Sequence, residues 1–235
     1  MNDQQFAQFR QIMDESLGRL APEKDQSHWQ ILVGIVLDRR RRGRGRQQMT
    51  PDESPQHSLL SSAAACASAS LTSLSLELEQ NGDPGKSAAL LVDLARWWTR
   101  SVVVDPDADV TDCLRPPDRP TVTSTAIEAL YTVTGVGREL ADRIQLFALK
   151  RPVAPVGRHQ QRIFCRHGWL DVTTEVEEWQ ATLLAWSRAL DVDLGQLTRW
   201  LDATGERWCG PKPKCAACPL APLLPAAGAI DPGTD

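Results

Sequence analysis

Gly135-Val136-Gly137-Arg138, set between two apolar-periodic runs, is the segment most informative for chemistry. Glycines reach backbone angles closed to other residues and leave the first-turn amides of the next helix uncovered. Those amides, with the helix dipole, suit one phosphate, and Val136 would anchor the turn in the core. A tight helix–helix turn with no ligand would use the same residues. A second set is Cys209, Cys215 and Cys218, three thiols within ten residues. Their spacing suits convergence on one metal or iron–sulfur cluster, and a [4Fe–4S] cluster normally takes four thiolates. A third set is Arg39, Arg40, Arg41, Arg42, Arg44 and Arg46, interleaved with Gly43 and Gly45. That composition suits flexible phosphate contacts, and equally a solvated charged loop. No Walker loop, zincin helix or Gly-x-Ser-x-Gly elbow occurs in the sequence.

Helices must position these residues. Phe6, Phe9, Ile12, Met13 and Leu17 recur at spacings of three and four, giving one apolar face. Trp29, Ile31, Leu32, Ile35, Val36 and Leu37 form a denser block, expected to be fully buried. The turn signal Asn81-Gly82-Asp83-Pro84-Gly85 precedes an amphipathic run over 86–99. Further helices are expected over 124–133, 137–149, 158–167, 175–189 and 194–203. No alternating strand series is found. Residues 47–57 and 104–121 read as linkers, and 219–235, rich in Pro, Gly and Ala, as a frayed tail. The Ser/Ala-rich stretch 61–70 fits a helix of small residues or a loop.

Composition narrows the class. The 235 residues are 42% hydrophobic and 24% charged, which suits a globular chain. Three clustered and three scattered cysteines make a poor secreted disulfide framework, so Cys66, Cys113 and Cys165 read as core or loop residues. The first twenty residues lack an apolar signal core, and the longest uncharged run, 54–76, is too polar to span a bilayer. A cytoplasmic setting without a membrane follows as the expectation. The net charge of −4 argues against a general polyanion binder, so charge is read locally. Residues 137–168 carry Arg138, Arg143, Lys150, Arg151, Arg158, Arg162 and Arg166 against Glu139 and Asp142. Most of the eight tryptophans fall at helical core spacing.

Residues 126–167 resemble the helix-hairpin-helix and following loop of the endonuclease III superfamily of DNA glycosylases. His28–Leu37 resembles that family's early buried helix, and Gly85–Leu91 its Lys-Ala helix start. Gly205–Leu220 resembles its C-terminal iron–sulfur loop. Together these cover most of residues 28–225 in family order. The resemblance implies an all-α, two-lobed fold with a cleft between the lobes. It implies that the hairpin grips a phosphate of double-stranded DNA while a damaged base is flipped out of the stack. It also implies an Asp at the start of the helix after the hairpin, and in bifunctional members a Lys nucleophile.

Both positions depart from the pattern. Glu139 stands where the Lys would be, which is similar to the monofunctional 3-methyladenine glycosylase branch. Gly157 stands where the Asp would be, and no Asp or Glu occurs from 143 to 170. Without that carboxylate a cation-like transition state loses about 3–4 kcal/mol, a hundred- to thousand-fold in rate. The fourth cysteine of the family loop falls on Leu224. Three states of the loop follow: free thiols with no cluster, a cluster on three cysteines and a foreign ligand, or zinc with a distant Cys or His.

The expectation is a monomeric, DNA-binding endonuclease III-like protein that recognises damaged or distorted DNA with little or no base excision. The alternatives are an active monofunctional glycosylase for alkylated purines and a protein-interaction module on the same fold, its partner unspecified. The central lobe is expected over 25–145. The second lobe is expected to combine 1–24 with 146–225, followed by a flexible tail over 226–235. Candidate DNA contacts are Arg39, Arg40, Arg41, Arg42, Arg44, Arg46, Gly135, Val136, Gly137, Arg138, Arg158 and His159. His159 equally suits a structural role. Candidate metal ligands are Cys209, Cys215 and Cys218.

Overall fold

The computed structural model describes residues 2–20, 26–41, 58–83, 85–103 and 120–231, with side chains of the second stretch described through Asp38. Among these residues the helices are α1 (Asp3–Leu17), α2 (His28–Arg41), α3 (Ala63–Ser68), α4 (Leu71–Gln80), α5 (Ala88–Ser101), α6 (Ser124–Thr132), α7 (Arg138–Arg143), α8 (Arg158–Arg166), α9 (Val176–Ala189) and α10 (Leu194–Arg207). The chain divides into two compact units, Asp25–Arg151, and Met1–Lys24 with Pro152–Asp235. No described helix is long and apolar enough to cross a membrane.

In the Asp25–Arg151 unit, α2 buries Trp29, Leu32, Val33, Val36 and Leu37 but leaves Gln30, Gly34 and Asp38 exposed. The block expected to be wholly buried is therefore one apolar face, because polar or small residues recur every fourth position on the other side. Ser62 accepts from the Ala65 amide and starts α3, which resolves the Ser/Ala-rich stretch in favour of a helix. The small residues Ala63 and Cys66 let α3 pack closely on α5. Trp29 and Trp97 are buried, yet their indole N–H groups donate to Leu60 O at 3.0 Å and Ala126 O at 2.8 Å. Each ring thus joins its helix to a distant segment without stranding a donor. One short antiparallel pair, β1 (Val102–Val103) and β2 (Thr121–Val122), brackets residues 104–119. Two residues per strand are too few to show alternation in the sequence. Residues 47–57 lie outside the described residues, as do 104–119 of the second stretch read as a linker.

The other unit centres on aromatic side chains. Phe164 lies 4.5 Å from Trp186 and 5.6 Å from Trp179, and Phe9 meets Trp186 edge-on at 5.5 Å. Such contacts add about 0.5–1.5 kcal/mol each beyond the apolar area removed from water. The α1 N-terminus has a capping box between Asn2 and Gln5. Its C-terminus closes on Gly18 at φ +63°, whose carbonyl accepts from Trp200 Nε1 at 2.8 Å and Gln196 Nε2 at 3.2 Å. Near the C-terminus the Ile230 amide donates to Arg166 O at 2.9 Å.

Candidate nucleic-acid interface

The hairpin is built from α6 and α7. Thr123 caps α6, and the Val136 amide donates to Val133 O at 2.9 Å, tightening the turn. Gly135 takes φ +87°, which a side chain would strain. Val136 is buried, whereas Gly135, Gly137 and Arg138 are exposed. Gly137 is the N-cap of α7 and supplies no side-chain cap to its first turn. An anion could approach those amides without meeting a side chain at the cap. After Arg143 the helix widens into a π turn over Ile144–Ala148, so the expected helix over 137–149 has two geometries.

Two side-chain groups lock the hairpin. Arg143, 11% exposed at its side chain, donates from Nε to Glu139 Oε1 at 3.0 Å. Glu139 is thus engaged in an ion pair. Across the hairpin, the Tyr131 hydroxyl donates to Asp142 Oδ1 at 2.8 Å and accepts from Gln145 Nε2 at 3.0 Å. Burial, then the Asp142 carboxylate, raises the Tyr131 phenol above its usual pKa, so it stays a neutral donor. Sequence reasoning missed this triad. Its partners lie 11 and 14 residues apart and belong to different helices, a relation that no periodicity exposes.

Gly157 is the N-cap of α8 with extended backbone (φ −119°, ψ 179°). Its N–H donates to Gln160 Oε1 at 3.1 Å, and Gln160 Nε2 donates to the buried Asp202 at 3.0 Å. The first turn of this helix carries no Asp or Glu of its own, and the carboxylate that reaches it is that of Asp202 through Gln160. Arg158 is exposed, while His159 packs against α10 where Gly205 leaves room for its ring. A Cβ at position 205 would collide with His159 Nδ1, Cγ and Cβ. His159 is therefore a packing residue of its own unit. Sequence reasoning missed this contact, because Gly205 lies past the helix expected over 194–203 and nothing local pairs it with His159.

The cysteine loop is closed differently from a four-thiolate site. Cys209, Cys215, Cys218 and Leu224 line one cavity of about 20 Å³ together with Arg166 and His167. That space holds about one water. Arg166 Nη1 donates to Cys209 Sγ at 3.1 Å. Burial raises the thiols of Cys209 and Cys218 above the usual cysteine range, against the opposing charge of Arg166 at Cys209. No group of three or more His, Cys, Asp or Glu side chains suited to a metal ion occurs among the described residues. The cavity thus offers three thiols and one imidazole, with Leu224 standing where a four-thiolate [4Fe–4S] site would have its last cysteine. Cys66 and Cys165 are buried core thiols, Cys66 pushed up to about 12 by burial. Cys113 lies outside the described residues.

Charge within residues 137–168 is less available than a count suggests. Arg143 is paired with Glu139, and Arg166 is buried in the cysteine loop. Arg138 and Arg158 are exposed. The backbone of Arg39, Arg40 and Arg41 ends α2. Their side chains, and all of Arg42, Arg44 and Arg46, lie outside the described residues.

No protein-family model matches the chain, and no curated protein matches it. Solved structures do. A trapped endonuclease III–DNA covalent intermediate aligns with TM-score 0.57 and 17% identity over 95% of both chains. A non-covalent endonuclease III–DNA complex gives 0.54 and 17%, again over 95% of both. A thermostable thymine-DNA glycosylase gives 0.53 and 16%, over 93% of this chain and 92% of that one. Identities this low speak for architecture, and in architecture this chain has the all-α helix-hairpin-helix glycosylase fold.

Proposed function

We propose that this protein binds double-stranded DNA at damaged or distorted sites and excises little or no base. The observation that carries this reading is a contrast between two helix starts. The α7 start keeps a turn of Gly135, buried Val136 and Gly137, with Arg138 exposed beside it. The α8 start has Gly157 where excision chemistry needs a carboxylate. Gripping a phosphate requires only the first. Stabilising a sugar cation requires the second, and its loss costs about 3–4 kcal/mol of transition-state stabilisation.

In this reading Gly135, Val136, Gly137 and Arg138 form the phosphate grip. Arg158 and the run Arg39 to Arg46 add screened, salt-sensitive contacts. His159 supports the α8 start by packing rather than by touching DNA. Glu139, held by Arg143, cannot replace a lysine nucleophile. The cysteine loop folds on hydrogen bonds and packing, without a cluster. The protein acts as a cytoplasmic monomer.

Base release from alkylated duplex DNA tests the reading. The wild-type chain should bind the duplex and leave 3-methyladenine and 7-methylguanine attached. Multiple-turnover release of either base would overturn it in favour of a monofunctional glycosylase.

A further inference from the structure

We propose that Tyr131 is a stacking platform for an unpaired nucleobase, next to the phosphate held by the hairpin; this rests on the DNA-binding reading above. Tyr131 is the only tyrosine in the chain. Among the large hydrophobic side chains exposed in the described residues it is the only aromatic one, at 41%. Its hydroxyl is fully used. A phenol has one proton to donate, and this one goes to Asp142 at 2.8 Å while the oxygen accepts from Gln145 at 3.0 Å. Both partners are buried, at 1% and 2% exposure. The polar end of Tyr131 is thus anchored in the protein, and what it offers to solvent is ring.

An exposed ring held this way carries a specific advantage for binding. Its torsions are already fixed by two hydrogen bonds, so a ligand stacking on it freezes little further freedom. Arg138, exposed in the first turn of α7, is the cationic side chain the hairpin offers to the phosphate that would precede or follow the stacked base. Every nucleobase has a π face, so stacking here is tolerant of sequence but demands a base outside the duplex stack. The saturated hydroxyl argues against a role for Tyr131 as acid, base or nucleophile.

The single tyrosine makes the test direct. Full-length protein grown with 3-fluorotyrosine carries one fluorine resonance. It is titrated with a fully paired duplex and with the same duplex carrying one unpaired thymine. The proposal expects the resonance to move with the bulged duplex and much less with the paired one. Tyr131→Ala removes the hydroxyl contacts to Asp142 and Gln145 and so weakens the hairpin on both duplexes, and the proposal expects the loss on the bulged duplex to be larger by roughly five- to a hundredfold. Tyr131→Trp, which keeps a π face, should retain the preference. If the bulged duplex binds and the resonance stays put, the proposal is overturned while DNA binding stands. Equal loss on both duplexes in Tyr131→Ala overturns it likewise. Failure of the wild-type chain to bind either duplex at low salt removes the DNA reading and this proposal together.

Discussion

The guanidinium of Arg166 lies against the thiol of Cys209, Nη1 to Sγ at 3.1 Å. The same group donates to Gly210 O at 2.7 Å and Pro211 O at 3.1 Å. One buried side chain on α8 therefore ties down the start of the cysteine loop. The amide of Lys214 donates to Trp208 O at 2.8 Å and closes the loop on itself.

Arg166→Ala should destabilise the protein by about 2–4 kcal/mol, because it removes charged donors from part-buried carbonyls. Arg166→Lys should rescue only in part, since an ammonium cannot reproduce the planar fork. Urea unfolding midpoints measure both. A metal chelator should leave the wild-type midpoint unchanged. Stoichiometric iron in the purified protein, or a midpoint lowered by chelator, would contradict this account of the loop.

His167 predicts a pH dependence. It is buried, donates from Nδ1 to Leu223 O at 3.1 Å, and stacks on Trp169 at 4.3 Å. Burial lowers its pKa below the usual 6.5, only partly offset by the Leu223 carbonyl. Below pH 6.5 the unfolded chain therefore binds the proton more readily than the folded one. The stability contribution is present above that pH and is lost as pH falls toward the folded value. Thermal unfolding should show a lower midpoint at pH 5.5 than at pH 7.5, and His167→Gln should flatten that difference. An equal pH response in both proteins would assign the loss to other groups.

Gly205→Ala places a methyl group into the His159 ring. We expect a loss of about 1–3 kcal/mol, typical of overpacking. Adding His159→Ala should recover much of it, since the two sites share one contact. Strict additivity of the two changes in denaturant melts would mean that the ring does not rest on position 205.

Gly157→Asp tests the missing carboxylate. Asp is a favourable N-cap on this extended backbone, but Gly157 is buried and its amide already bonds Gln160, so the variant should fold with a stability loss of about 1–3 kcal/mol. Duplex binding should stay within about twofold, and release of labile alkylated purines should rise above wild type. A folded variant, judged by circular dichroism, whose release of these purines stays at the wild-type level would show that a carboxylate at 157 is not what excision lacks.

Much of the fold was legible in the sequence because helices carry a period. Ser124–Thr132, Val176–Ala189 and Leu194–Arg207 fall close to the runs that apolar spacing marks out. Gly135 and Gly137 were legible because a tight turn has few residue choices. What periodicity could not give is which polar side chain meets which. Asp142 and Arg166 read as part of a charge count, yet Asp142 holds a phenol and Arg166 holds a loop. Such relations depend on two helices meeting, and nothing local encodes them. The π turn at Ile144–Ala148 is invisible for the same reason, since its sequence is as apolar as a helix.

Binding itself is the central claim, and a fluorescence anisotropy titration tests it most directly. A labelled intact duplex is compared with the same duplex carrying a stable abasic-site analogue, each at about 50 mM and about 200 mM salt. The account predicts tighter binding to the abasic duplex and weakening at the higher salt by roughly threefold for each phosphate contacted. Absence of binding to either duplex at the lower salt would contradict it.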